Sequence, residues 1–201
     1  MTRRTVYCFD LDGTITDAEI LPLIAAETNL EDEITALTKS TIEGAIPFDT
    51  SFRLRCRLLA EVPISKVREI TSNVPLNADI VSFIQQRPED CAIATGNLDL
   101  WVQPILDRLG CRAFTSTALS ADDVLWGVTD TLYKADAIDA LQDDDTLIVA
   151  VGDGMNDVPM FEAADVAVAF GGVHPPAEAA LDAADFVAMN GAGLCQLLNS
   201  L

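Results

Sequence analysis

The chain has 201 residues, half of them hydrophobic, and a formal net charge of −20. That length suits one domain, or one domain with an insertion, with ample apolar material for a core. So acidic a surface, the ordinary solvated kind or that of a salt-rich host, repels nucleic acid and anionic membranes; no stretch approaches a membrane span, and the amino terminus lacks a signal peptide's long apolar segment.

The first predicted strand, Thr5–Asp10, runs into "CFDLDGT" and stops at two aspartates one residue apart. Asp-Gly is a hairpin signal, but no second β-run follows. "TITDAEILPLIAAETNL" instead has the apolar spacing of a helix. From about Asp17 to Pro75 the pattern is helical, with breaks near Asn29, at Gly44-Ala45-Ile46-Pro47 and at Val62-Pro63. Arg53, Arg55, Arg57, Lys66 and Arg68 cluster within this block, a local reversal of charge that suits either a solvated helix face or a nearby anionic ligand.

Beyond it, short apolar runs predict strands over Cys91–Thr95, Thr146–Gly152, Val166–Ala169 and Phe186–Ala188. Helical patterns cover Leu98–Leu109, Lys134–Leu141, Val158–Ala164, Pro176–Ala183 and Ala192–Leu198, and "STALSADDVLWGVTD" suits a short β-flap. Alternating β and α segments imply an α/β fold, a Rossmann-like parallel sheet with helices on both faces. The expected organisation is a core of residues 1–16 and 76–201 with an inserted helical cap, residues 17–75, lying over the first strand's carboxyl end, where open α/β sheets bind ligands. Five scattered cysteines (Cys8, Cys56, Cys91, Cys111, Cys195) lack Cys-x-x-Cys spacing. That argues against a disulfide framework or a zinc site and for a reducing cytoplasm.

Further chemistry-bearing residues end strands or follow them: Thr95-Gly96 in "IATGN", Lys134 at a helix start, and Asp153, Asn156 and Asp157 in "VGDGMND". A lysine at a helix start opposes the helix dipole and so asks for a reason. "GDGMND" half-matches a dinucleotide fingerprint, but Asp157 stands where the third glycine belongs and Asp153 would face a pyrophosphate. In a parallel sheet the strand ends converge, so Asp10, Asp12 and Asp153 form an oxygen-only set suited to Mg²⁺. His174, before Pro175-Pro176, reads as an ordinary surface-loop residue; Trp101 and Trp126 read as core and flap packing.

The ordered set Asp-x-Asp-Gly-Thr, apolar-Thr-Gly, Lys, Gly-Asp-Gly-x-Asn-Asp resembles the signature of the haloacid dehalogenase superfamily, over the whole chain. The resemblance implies Mg²⁺-dependent phosphoryl transfer through an aspartyl-phosphate. It makes Asp10 the nucleophile and a metal ligand. Asp12 becomes the general acid and base, with its main-chain carbonyl on the metal, and Asp153 the remaining metal ligand. Thr95, Gly96, Lys134 and Asn156 would hold the phosphate, with Thr14 and Asp157 in support. The helical block resembles the cap of phosphoserine phosphatases at Glu19, Ile42-Glu43-Gly44, Phe48, Ser51 to Arg57 and "LLAEVP". By that likeness Glu19 binds a substrate ammonium, Arg55 a substrate carboxylate, and Phe48 shields the pocket. Asn97 and Ile42 depart from that family, which usually has glycine and methionine there, and Asn97 thereby adds a side chain beside the substrate.

The expected partner is a small phosphorylated metabolite, phosphoserine or a similar ester, met by a monomer or homodimer without nucleic acid or membrane. Two alternatives stand beside phosphoserine: another small phosphomonoester, or a receiver-like phospho-acceptor domain. The second is disfavoured because the middle strand ends in Thr95-Gly96 rather than an aspartate.

Overall fold

The computed structural model describes residues 3–201. Among them, seven strands form one sheet: β1 (Arg4–Phe9), β2 (Cys91–Leu98), β3 (Arg112–Ala121), β4 (Val124–Asp130), β5 (Thr146–Gly152), β6 (Val166–Phe170) and β7 (Phe186–Ala188). Their order is β4-β3-β2-β1-β5-β6-β7. Every pair is parallel except the β3–β4 hairpin. Two strands fall at their predicted bounds, Thr146–Gly152 and Phe186–Ala188, whereas β2 runs on to Leu98 through a register shift after Thr95.

The two faces of the sheet differ in side-chain size. Tyr7, Phe9, Ile93, Val149, Val151 and Phe170 meet helices α5 (Ala78–Gln86), α6 (Asp99–Leu109) and α10 (Gly191–Leu198). The opposite face is alanine-rich, with Ala92, Ala94, Ala150, Ala167 and Ala169 against α7 (Lys134–Asp139), α8 (Val158–Ala163) and α9 (Glu178–Ala183). Strands covered on both faces need no polar alternation, which is why they read as continuous apolar runs. Helix α5 was absent from the sequence reading; its start is fixed by Asn77, whose side chain accepts from the Ile80 amide.

Between β1 and α5 lie α1 (Ile20–Ala25), α2 (Glu31–Ile42), α3 (Phe48–Leu58) and α4 (Ile64–Ser72). The breaks read from Asn29, Gly44–Pro47 and Val62-Pro63 all fall in the connections between them. The chain enters and leaves this block side by side. Thr16 and Leu76 form an antiparallel bridge, the Asp17 amide donates to Pro75 O (3.0 Å), and the Asn77 amide to Ile15 O (2.9 Å). Helix α4 is tied down twice. Its Arg68 Nε and Thr71 Oγ1 donate to the Leu100 and Trp101 carbonyls of α6, each at 2.8 Å. Its first turn meets the tip of the flap, where the Ile64 and Ser65 amides donate to Asp123 O (2.9 Å) and Oδ1 (2.8 Å).

The flap itself is longer than expected. Its two-residue turn, Asp122-Asp123, has positive φ at both positions (52° and 68°), the geometry that matches the twist of a tight hairpin. Trp101 is fully buried as expected, but Trp126 is 71% exposed on β4 rather than packed. No helix among the described residues is long and apolar enough to cross a membrane.

Candidate active site

Strands β1, β2 and β5 are adjacent and parallel, so their carboxyl ends share one edge. Connections leave β1 toward β2 and β5 toward β6, which makes the β1/β5 crevice the switch point where such sheets bind ligands. Asp10 sits there, its amide donating to Val151 O (2.8 Å). The Lys134 ammonium lies 2.5 Å from Asp10 Oδ1 and 2.5 Å from Asp157 Oδ1. That double pairing resolves the helix-start lysine. Its buried charge is anchored by two carboxylates that offset the unfavourable dipole.

Asp157 is fully engaged. Its other oxygen accepts from the Asp153 and Gly154 amides, both at 2.9 Å, and so folds the "GDGMND" loop into a tight turn. Gly152 is required beneath it, because a Cβ there would lie 2.4 Å from Asp157 Cγ. The carboxylates of Asp10, Asp153 and Asp157 offer oxygens within 4.8 Å of one another. The Asp12 carboxylate is not one of this trio. Asp12 turns its carboxylate the other way, where Oδ1 accepts from the Ile20 amide at the start of α1 (2.9 Å) and Oδ2 from Asn97 Nδ2. Thr14 Oγ1 donates to Asp153 Oδ1 (3.2 Å).

A narrow cavity of about 50 Å³ joins these groups to the helical block. Asp10, Asp12, Gly96, Asn97, Asp153 and Asn156 line one side, and Glu19, Thr38, Ile42, Phe48 and Arg55 the other. Phe48 stacks on Phe52 and covers Gly96 so closely that a Cβ at Gly96 would meet its ring at 2.1 Å. Thr95 is fully buried, and its hydroxyl accepts from the Asn97 amide (3.1 Å). Arg55 is 4% exposed, donating to Thr38 Oγ1 (2.8 Å) and, over 3.4 Å, to Ser51 O. Among the described residues no carboxylate lies within salt-bridge distance of it, an unusual condition for a buried guanidinium. Burial lowers its pKa, opposed by the charges of Asp12 and Glu19.

The electrostatics follow from crowding acids out of water. Burial, reinforced by the charge of Asp157, pushes Asp10 up to about 7 even though Lys134 opposes it. Asp12 is raised well above the usual carboxylate range, first by burial and then by Glu19 and Asp10. Asp153 is raised likewise, by burial, Asp157, Asp10 and Glu19. Burial disfavours the Lys134 ammonium, but Asp10 and Asp157 outweigh it and raise its pKa. Carboxylates this crowded and this short of positive charge suit a hard cation with oxygen ligands.

His174 is the site residue that sequence reasoning missed. Expected in an ordinary surface loop, it turns inward. Its Nε2 lies 3.1 Å from Asp153 Oδ2 and 3.3 Å from Glu19 Oε1. The hydrogen bond to Glu19 raises its pKa, against the effect of burial. A lone histidine carries no spacing pattern, and only the long-range return of the loop after β6 brings it here.

A profile of the haloacid dehalogenase-like hydrolases matches residues 5–165. The phosphoserine phosphatase of Methanocaldococcus jannaschii is 31% identical over 183 residues, covering 84% of this chain and 86% of that one. The phosphoserine phosphatase of Halobacterium salinarum is 32% identical over 185 residues, covering 85% and 86%. Among solved structures, a phospho-aspartyl intermediate analogue of phosphoserine phosphatase superposes over all of both chains with TM-score 0.83 at 27% identity. A substrate-bound phosphoserine phosphatase complex superposes over 100% of this chain and 99% of that one with TM-score 0.84 at 26% identity. The chain belongs to the haloacid dehalogenase-like hydrolases.

Proposed function

We propose that this protein is a Mg²⁺-dependent phosphomonoesterase that cleaves O-phospho-L-serine to L-serine and phosphate through an aspartyl-phosphate. The observation that carries the substrate is the buried Arg55 guanidinium without a carboxylate partner, in one cavity with Glu19 and opposite Asp10. A phosphorylated amino acid supplies the missing groups. Its carboxylate pairs with the arginine fork, its ammonium with Glu19, and its phosphate meets Asp10. The names of the relatives point the same way.

Asp10 attacks phosphorus, and the bond to the serine oxygen breaks as Asp12 gives that oxygen its proton. Asp12 then takes a proton from water as the water attacks phosphorus, releasing phosphate and restoring the Asp10 carboxylate. An Asp12 pKa raised by burial and by Glu19 suits a carboxyl that must hold its proton until the first step. Lys134 offsets charge on Asp10 and on the transferring phosphoryl group, while Thr95, Gly96 and Asn156 receive the phosphate oxygens. Mg²⁺ bound to Asp10, Asp153 and the Asp12 main-chain carbonyl would neutralise phosphate charge.

Residues 17–75 act as the cap. The cavity of about 50 Å³ holds a few waters rather than a phosphorylated amino acid. The cap therefore opens to admit substrate, about the paired Thr14–Asp17 and Pro75–Asn77 segments, and closes to exclude bulk water. Five free cysteines accord with a reducing cytoplasm.

The test is turnover with Mg²⁺ across a panel of phosphorylated small metabolites, in wild type and in Arg55→Ala. Phosphoserine should lead the panel. Arg55→Ala should lower the ratio of kcat/KM for phosphoserine over p-nitrophenyl phosphate by at least about a hundredfold, because removing one partner of a buried charged pair costs a few kcal/mol. An unchanged ratio, or a wild type that ignores phosphoserine, refutes the substrate assignment.

A further inference from the structure

We propose that His174 is a positioning residue for substrate recognition: it holds the Glu19 carboxylate in place across the gap between core and cap. This rests on the reading of Glu19 as the ammonium-binding group.

The geometry starts at Gly13, whose φ of +68° turns the chain after the paired aspartates. A Cβ there would lie 3.0 Å from His174 Nε2, 3.1 Å from Asp153 Oδ2 and 3.1 Å from Glu19 Oε1. Three side chains from distant parts of the sequence thus close over the one position that has no side chain. Glu19 precedes α1 in the cap, and its carboxylate makes no capping bond to the helix, since Asp12 accepts from the Ile20 amide instead. It is therefore free to face the cavity and to be steered by something else.

His174 is well placed to steer it. Its loop is pinned at both ends, by the Gly171 amide donating to Ala188 O (2.9 Å) and the Ala177 amide to Asp153 O (2.8 Å). Pro175 and Pro176 stiffen the segment that follows. Among the described residues, the polar partners of the ring are all acceptors: Glu19 Oε1 and Asp153 Oδ2 at Nε2, and Pro175 O at Nδ1 (3.3 Å). Nε2 therefore donates, and it stands between two carboxylates that would otherwise repel each other. Without it Glu19 swings away from Asp153, out of the place where it meets an ammonium. A carboxylate has further lone pairs, so holding one Glu19 oxygen leaves the other for the substrate. The bond joins a cap residue to a core loop, so it forms as the cap closes and registers Glu19 against the phosphate site.

The experiment is a double-mutant cycle, Glu19→Gln with His174→Ala, plus the single variant His174→Gln, on purified Mg²⁺-loaded enzyme. The readouts are KM and kcat for phosphoserine, the specificity ratio over p-nitrophenyl phosphate, and Mg²⁺ affinity by calorimetry. His174→Ala should raise KM for phosphoserine about tenfold, the worth of one hydrogen bond to a charged group, with kcat moving far less. His174→Gln, which keeps a donor, should recover part of that loss. In the Glu19→Gln background His174→Ala should add little, because the two act as a unit. Additive losses, a fall in kcat alone, or weakened Mg²⁺ binding with an unchanged specificity ratio would overturn the proposal and leave His174 serving Asp153. Failure of the underlying reading is seen separately: wild type would then show no preference for phosphoserine, while thermal melts of the same four proteins still report whether Glu19 and His174 are coupled.

Discussion

Asp10 and Asp12 are two residues apart, yet the fold gives them different environments. Asp10 points at Lys134, a permanent cation, and so can act as an anion. Asp12 points at the start of α1 and at Asn97, which offer hydrogen bonds but no full charge. Asp10→Asn keeps the shape and removes the attacking charge. It should lower turnover at least about a thousandfold on any ester while the protein still folds, as seen by circular dichroism and melting. Wild-type turnover in Asp10→Asn would remove it as the nucleophile. Asp12→Asn should also fold, because the new amide can still accept from Ile20 and the Asn97 amide can rotate to offer its oxygen. Its loss should fall in the general-acid range, about 10²–10⁴-fold, on an alkyl phosphate, and be clearly smaller on an aryl phosphate whose leaving group needs no proton. Equal losses on both would assign Asp12 some other task. Asn97 itself is read two ways by its neighbours: its Nδ2 holds Asp12, while its Oδ1 is buried with no partner among the described residues. That makes the departure from the family's glycine a second support for Asp12.

At the scale of elements, the cap is not uniformly attached. Helix α4 is fastened to α6 and to the flap tip, whereas α1 is held to the core through Asp12 and the Glu19–His174 contact. The Asp123 carboxylate accepts from the Ser65 amide (2.8 Å) and hydroxyl (2.5 Å), doing the work of an N-cap from another element. Asp123→Ala should therefore lower the midpoint of chemical denaturation, as a lost cap does. Asp123→Gly should cost less than Ala, because glycine accepts the φ of 68° without strain. If the two substitutions cost the same, the turn conformation contributes nothing. This attachment was invisible in the sequence, where Asp123 lies within the run expected to form a short β-flap and nothing marks its partner; partner and distance are set by how the flap folds over α4. The strands were legible because sheets buried on both faces leave uninterrupted apolar runs. The candidate site residues Asp10, Thr95, Lys134 and Asp153 were legible because each ends or follows a strand or opens a helix, and the fold brings those ends to one edge. Helix α5 escaped because it abuts the irregular exit of the cap, where the helical pattern read from the sequence ends at Pro75. His174 escaped because nothing local distinguishes a loop histidine that turns inward from one that faces water.

Over the whole molecule, two kinds of negative charge must be kept apart: the exposed excess behind the net charge of −20 and the buried cluster at the β1/β5 crevice. Asp10, Asp12 and Asp153 all have raised folded pKa values. For such groups the unfolded chain binds fewer protons than the native one between the two pKa values, so stability falls as pH rises. Their contribution is full below the ordinary value of 3.8 and is lost as pH climbs through the folded values, about 7 for Asp10. His174, also raised, acts in the same direction. Asp49, Asp123 and Asp143 are lowered by hydrogen bonds and oppose this only as pH falls toward acid; being exposed, they weigh little. The protein stripped of divalent ions by chelator should therefore melt several degrees lower at pH 8 than at pH 5.5, from a loss on the order of a few kcal/mol. Self-repulsion of the acidic surface predicts the same sign, so salt must separate the two. At about 1 M monovalent salt the screening length is about 3 Å, which removes the surface contribution and leaves the buried one. The pH slope should persist there. Mg²⁺ should then flatten it, raising the melting temperature more at pH 8 than at pH 5.5, because it binds the native carboxylates in the form that high pH supplies. A slope that vanishes in salt, or an equal Mg²⁺ shift at both pH values, would move the cause from the crevice to the surface.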